Sequence, residues 1–334
     1  MKILAIETSC DETSASVVLD GSRILSNVVS SSLNLHKKTY GIVPEVAARK
    51  QVESIIPALD EALKRSKTSL SDIDAIAVTI GPGLIGSLIV GVTASKMLGL
   101  MLGKKIIPVN HLLAHIYANW ALGDAPQFPL VALIVSGGHT ELVLMESHTD
   151  IKYLGGTRDD AAGECFDKVA RILSLGYPGG PAIQKEAEKF GRRKSSLVFP
   201  KPLLSKGYEF SFSGLKTAVF ETVRNGEGKY DRTEIAFAFQ ETVCDILTKK
   251  ATRAATDFGV KSLLVSGGVA ANKNLRDRIC KAAGPLGVEA FIPPINLCTD
   301  NAVPIGICAF YHQNYTGIED VFPKEGLSLS RESP

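Results

Sequence analysis

The sequence is poor in several things that would tie a chain to a special environment. Its 334 residues hold one tryptophan, and aromatics make up only 7%. The six cysteines (Cys10, Cys165, Cys244, Cys280, Cys298 and Cys308) are scattered and form no CxxC pair. That excludes a zinc knuckle and a disulfide framework and predicts reduced thiols in a cytoplasmic protein. An excess of one charge is also missing, because 37 Lys and Arg against 35 Asp and Glu leave a net +2. Bulk electrostatics therefore announces no nucleic acid, and any such role must rest on local patches. At the start, MKILAIETSCDE runs into Glu7, Asp11 and Glu12 after four apolar residues, which predicts neither a signal peptide nor a transit peptide. One stretch, Gly83 to Gly103, has the length and apolarity of a membrane span. Lys96 lies inside it and a strand pattern leads directly into it, so the expectation is a buried helix packed on a sheet, and no membrane.

What is present is the composition of a globular α/β protein, 45% hydrophobic and 22% charged, at a length that predicts two lobes. The chain repeats one design. Residues 2–21 set the apolar runs Ile3 to Ile6 and Ala15 to Leu19 around an acidic polar turn, and residues 130–147 set Leu130 to Val135 and Glu141 to Met145 around SGGHT. Each reads as a β-hairpin. A second pair, AIAVTIGPGLIG (75–86) and SLLVSGGVAANKNL (262–275), reads strand, glycine-rich turn, helix. Two copies of hairpin plus strand-turn-helix predict a duplicated α/β fold with a nucleotide or phosphate cleft between the copies. Glycine lets backbone approach a phosphate, and a following helix N-terminus attracts anions. The expected lobes are 1–110 with about 301–334, and 111–300.

Helical patterns run over 52–67, 165–174 and 233–258, with loops at 176–181 and 191–207. Between Lys185 and Lys216 eight Lys or Arg stand against three Glu, 8 − 3 = +5, interleaved with Phe199, Tyr208, Phe210 and Phe212. This is the best local candidate for a phosphate-backbone surface.

In NHLLAHIYAN, His111 and His115 stand four apart, so a helix projects both imidazoles from one face, where they can share an ion. Position 112 is Leu, so the general-base Glu of an HExxH protease is missing. Asp300 in CTDNA offers a carboxylate. Two His and one Asp leave positions open for a substrate, and the set suits Fe(II) and Zn(II) alike.

The ordered set ETSCDETS, GPGLIGSL, NHLLAHIYAN, SGGHTEL, GECFDKVAR, YPGGP, SFSGLKTA, SGGVAANKNL and CTDNA resembles the bacterial branch of the tRNA adenosine threonylcarbamoyltransferases, formerly called O-sialoglycoprotein endopeptidases, over nearly the whole chain. The resemblance implies the duplicated actin, Hsp70 and sugar-kinase fold. It implies transfer of threonylcarbamoyl from threonylcarbamoyl-adenylate to N6 of the adenosine 3′ of the anticodon, in tRNAs reading codons that begin with A, with release of AMP. It implies one divalent ion, Fe(II) in preference to Zn(II), on His111, His115 and Asp300. The donor would lie against Ile134, Val135, Ser136, Gly137 and Gly138, with Asp167, Gly180 and Asn272 on its ribose and adenine side. The acidic tip would face the same cleft, where Glu12, or its neighbour Asp11, would deprotonate the adenine amine or orient the donor. The implied partners are tRNA, a degenerate paralogue of the same fold in a heterodimer, with Gly86 to Leu100 as a candidate surface for it, and a small P-loop ATPase.

Two positions depart from the family pattern: Gln51 stands where relatives commonly carry His, and Gln184 where some carry Asp. Rival readings are weaker. A kinase of the same fold would place glycine in the first hairpin tip, where this chain has TSCDET, and a scaffold subunit would have lost His111, His115 and Asp300.

Overall fold

A computed structural model describes residues 1–36, 39, 41–191, 195–205, 207–225 and 229–329. The chain divides into two compact units, Met1–Ala125 with Pro293–Pro334, and Pro126–Ile292. In the first unit the order is β1 (Lys2–Glu7), β2 (Glu12–Leu19), β3 (Arg23–Ser31), α1 (Leu33–His36), α2 (Pro44–Ser66), β4 (Ala75–Gly81), α3 (Ile85–Leu102), β5 (Lys105–Asn110) and α4 (His111–Tyr117). The second unit holds β6 (Leu130–Val135), β7 (Thr140–Met145), β8 (Ile151–Gly156), α5 (Ala162–Ile172), α6 (Gly179–Phe190), α7 (Ser213–Asn225), α8 (Arg232–Asp257), β9 (Ser262–Ser266), α9 (Lys273–Ala283) and β10 (Glu289–Phe291). The chain then returns to the first unit with α10 (Ile295–Cys298) and α11 (Ala302–His312).

The two sheets are topological copies. The first has the order β3-β2-β1-β4-β5, and the second, read from its other edge, β8-β7-β6-β9-β10. In each, an antiparallel meander of three strands is followed by two parallel additions, with Ile3 opposite Val18 and beside Ala75 in the first sheet, and Leu130 opposite Met145 and beside Ser262 in the second. The duplicated hairpins and strand-turn-helix units of the sequence thus occupy equivalent places. Central strands β1, β4, β6 and β9 are almost continuously apolar because helices cover both faces.

In the first unit Leu4, Ile6, Val17, Ile76 and Val78 meet Ile55 and Leu59 of α2 and Val92 of α3. Each such side chain withdrawn from water contributes about 1.5–3 kcal/mol. The opposite face takes α11 at close range, for a Cβ on Gly306 would run into Val18 and Ala5. Because α11 also packs against α4, the helix of His111 and His115 belongs to this unit, and the bounds fall at Ala125 and Pro293 instead of 110 and 301.

Two expectations need correcting. Helix α2 starts at Pro44, not near residue 52, with proline in its first turn, where the missing N–H has no intrahelical partner to lose. Helix α3 is not buried all round: Ile85, Ile89, Met97, Leu100 and Met101 are exposed, while Leu88, Val92 and Gly99 face inward. It is the one helix among the described residues with the length and composition of a membrane span.

Candidate metal centre and donor site

Strand β5 ends in Asn110, whose side-chain oxygen accepts from the amides of Leu112 (2.9 Å) and Leu113 (3.3 Å) and so starts α4 at His111. One turn later comes His115, and the two rings lie 4.5 Å apart, edge to face. On a neighbouring segment the side chain of Asn301 caps α11 through the Val303 amide, and the Ala302 amide donates to Ser14 Oγ at 2.9 Å, which fixes the backbone beside Asp300. Asp300 Oδ1 then stands 3.6 Å from His111 Nε2 and 3.5 Å from His115 Nε2. All three ligand atoms lie within 4.8 Å of one another. His115 Nε2 is buried and has no hydrogen-bond partner among the described residues, although burying a polar atom unpaired is costly. A divalent cation among these atoms satisfies that nitrogen, so the residues fit a metal.

The acidic hairpin tip belongs to the same unit. Burial above all, and then the charge of Asp300, push the Asp11 carboxyl up. Glu12 accepts from Ser31 Oγ at 2.8 Å through one oxygen, while the other is buried without a partner among the described residues, and burial pushes its carboxyl up to about 7. The tip is clasped from beneath by Gln51, whose Nε2 lies 3.0 Å from the carbonyl oxygens of both Cys10 and Glu12. Gln51, which departs from the family pattern, braces in the fold the turn that carries both candidate acids. Glu7 was also missed, although it stands in the quoted ETSCDETS. It is 1% exposed and reaches His111 Nδ1 at 3.2 Å. Burial works against both charges, yet their attraction prevails, holding the Glu7 carboxyl below its ordinary range and raising His111 to about 9. The available signal was a glutamate closing an apolar strand run.

In the second unit, Ile134 and Val135 are wholly buried in β6, so their side chains serve the core. The turn after them is accessible: Gly137 and Gly138 are exposed, with open space where a Cβ would stand. Ser136 closes the turn, its amide donating to the His139 carbonyl at 2.8 Å while its hydroxyl accepts from the His139 amide at 3.2 Å. Gly267, at φ +88°, lets the loop after β9 pass so close to the Val135 carbonyl that a Cβ would overlap it. Asp167 on α5 accepts from the Gly179 amide at 2.6 Å and so holds the start of α6, and burial raises its carboxyl. Gly180 has open space beside it. Asn272 is 8% exposed and caps α9 by accepting from the Leu275 amide, while its own amide donates to Gln240 at 2.9 Å. Gln184 bridges α6 to the Lys273 amide at 3.0 Å. A groove of about 470 Å³ is lined among others by Gln184, Gln240, Lys273 and Arg278; Lys273 follows Asn272 and Gln240 accepts from its side-chain amide, while Asp167 and Gly180 do not line the groove.

The basic stretch 185–216 does not form the aromatic surface expected of it. Phe199, Phe210 and Phe212 are buried, and the Tyr208 hydroxyl donates to Asp257. Lys189, Lys201 and Lys216 are paired with Glu186, Asp245 and Asp160. Arg192, Arg193, Lys194 and Lys206 lie outside the described residues.

The family model of tRNA N6-adenosine threonylcarbamoyltransferase matches residues 23–307. The chain belongs to that family. It is 49% identical over 311 residues to the tRNA N6-adenosine threonylcarbamoyltransferase of Dehalococcoides mccartyi, covering 93% of each chain. With that of Staphylococcus haemolyticus it shares 50% identity over 314 residues, 93% of this chain and 91% of the relative. These threonylcarbamoyltransferases are transferases acting in tRNA modification, and this chain is an enzyme of that kind. Among solved structures, HypF of T. kodakarensis superposes with a TM-score of 0.65 at 16% identity, covering 96% of this chain and 49% of HypF. That likeness speaks for the fold alone, which is the duplicated actin, Hsp70 and sugar-kinase architecture.

Proposed function

We propose that this transferase moves the threonylcarbamoyl group from threonylcarbamoyl-adenylate to N6 of the adenosine 3′ of the anticodon in tRNAs reading codons that begin with A, and releases AMP. The observation that carries the reading is the convergence of His111, His115 and Asp300, with a buried His115 nitrogen left to be satisfied, in a chain of this family. In the transfer, the N6 amine attacks the carbamoyl carbon, a C–N bond forms, and the C–O bond to the phosphate breaks with its electron pair leaving on AMP. The N6 proton passes to a carboxylate, and Glu12, held near 7 by burial, is matched to that task at neutral pH. His111, His115 and Asp300 would hold one divalent ion, Fe(II) in preference to Zn(II), which supplies a template for the donor's oxygens and polarises the carbamoyl carbonyl. Ser136, Gly137 and Gly138 present an open turn for the donor's phosphate, and Asp167, Gly180 and Asn272 its adenosine side, with the groove beside Gln240 as the adjoining space. Fixing donor and acceptor in this way can supply about 7–11 kcal/mol of the barrier.

The partners in this reading are tRNA, a degenerate paralogue of the same fold and a small P-loop ATPase, in the cytoplasm. The neighbouring helices α2 and α3 support the paralogue through the apolar side chains they expose, Val52 and Ile56 on one and Ile89, Leu100 and Met101 on the other. The test is reconstitution. Purified protein is given preformed threonylcarbamoyl-adenylate, unmodified tRNA and an extract lacking only this protein, and the modified adenosine is sought by mass. The expected product disappears with His111→Ala. No product, with the donor intact and the same extract rescued by another family member, overturns the proposal.

A further inference from the structure

One buried carboxylate of the first unit has no part in the transfer described above. Glu7 ends β1, and the pairing of Ile6 with Val78 sets it beside Thr79 of β4. Thr79 Oγ1 donates to Glu7 Oε2 at 2.6 Å, and the Ser9 amide donates to Oε1. Held at both oxygens, the carboxylate cannot turn away, and Oε2 also lies 3.2 Å from His111 Nδ1. Ser9 Oγ stands at the same distance, 3.2 Å, from that nitrogen. The other ring nitrogen, Nε2, faces Asp300. An ionised carboxylate only accepts, and an imidazole that ligates a metal gives up the proton on its ligand nitrogen and keeps one N–H, so with an ion bound the hydrogen belongs on Nδ1 and the lone pair on Nε2.

We infer that Glu7 is the positioning residue of the metal centre. It selects the His111 tautomer, fixes the ring's rotation, and makes Nε2 the more basic ligand atom, as carboxylates behind metal-bound histidines do. Thr79 and the Ser9 amide hold Glu7 in turn, so the brace reaches from β1 and β4 to the ligand. This inference rests on reading His111, His115 and Asp300 as a metal site, and its competitor is a Glu7 that merely fills the core.

The test is Co(II) binding to the full chain, followed by titration against a chelator and by the ligand-field absorption of the bound ion. Glu7→Gln keeps the shape and the Thr79 contact, and is expected to weaken Co(II) about 10–100-fold and to shift the absorption. In a His111→Ala background the same substitution is expected to change affinity less than about 2-fold, since residues that act through one another lose their separate effects. An equal loss in both backgrounds, or unchanged affinity and absorption in a folded Glu7→Gln, overturns the inference. If Glu7→Gln does not fold, Thr79→Val loosens the carboxylate alone: a smaller loss in the same direction supports the brace, and unchanged binding overturns it. Wild-type protein that takes up no Co(II) would remove the metal reading itself.

Discussion

The side-chain amide of Gln51 donates to the backbone carbonyl of Glu12 across 3.0 Å, and to that of Cys10 across the same distance, so a residue on α2 sets the shape of a turn 39 residues away in sequence. Gln51→Ala removes the donor that ties these two carbonyls together, leaving that of Cys10 to Ser87 Oγ at 2.9 Å, at a cost of about 1–3 kcal/mol. The expected outcome is a lower melting temperature and a fall in kcat greater than the rise in KM for the donor, because the tip loses its geometry while the proposed donor turn at Ser136 to Gly138 belongs to the other unit. Unaltered kcat in a destabilised Gln51→Ala would separate the brace from the chemistry.

That contact also shows why parts of the site were not legible in the sequence. The duplicated sheets were, because alternation and glycine turns are local marks that two copies reinforce. The His111 and His115 pair was, because one helical turn fixes its spacing. Gln51 and Glu7 act on residues remote in sequence, Gln51 on Glu12 and Glu7 on Thr79 and His111, and no periodicity records such a pairing. The stretch 185–216 misled for the opposite reason. Phenylalanines interleaved with lysines have the same local pattern whether the rings stack on a ligand or, like Phe210 and Phe212, turn into the core.

Glu12 yields a prediction with a sign. Its folded carboxyl is raised from 4.5 to about 7 by burial, so folding favours the protonated form; that contribution is full below about pH 4.5 and lost as pH rises through about 7. A shift of this size is worth on the order of 1–2 kcal/mol once its partial exposure to solvent is allowed for. Glu12→Gln is therefore expected to be more stable relative to wild type at pH 8 than at pH 5, measured by urea unfolding at both. Transfer is expected to fall about 10²–10⁴-fold and to lose the limb of its pH profile near 7. A variant that keeps this limb would move the base elsewhere, with Asp11 the neighbour to test.

The buried amine of Lys250 predicts a stability effect outside the site. It is wholly buried in α8 and donates to the carbonyls of Leu203 (2.7 Å) and Gly207 (3.1 Å), tying down the loop before α7. Lys250→Met fills the same space and leaves both carbonyls unpaired, and is expected to cost about 2–4 kcal/mol in chemical unfolding. Proteolytic nicking is expected to appear first within 195–207. A variant as stable as wild type, with no new cleavage, would show that the loop holds without the amine.

Gly267 predicts what the proposed donor turn tolerates. At φ +88° it has a conformation that side chains rarely adopt, and its missing Cβ is the space taken by the Val135 carbonyl. Gly267→Ala must push β9's loop away from the strand that leads into Ser136, Gly137 and Gly138, at about 1–3 kcal/mol for the strained backbone alone. Because β9's loop and the proposed donor turn both belong to the second unit and His111, His115 and Asp300 to the first, Co(II) affinity is expected to stay at the wild-type value while KM for threonylcarbamoyl-adenylate rises. Measuring both on one preparation separates the two sites, and a matching loss of Co(II) would mean that the donor turn and the metal centre are a single cooperative structure.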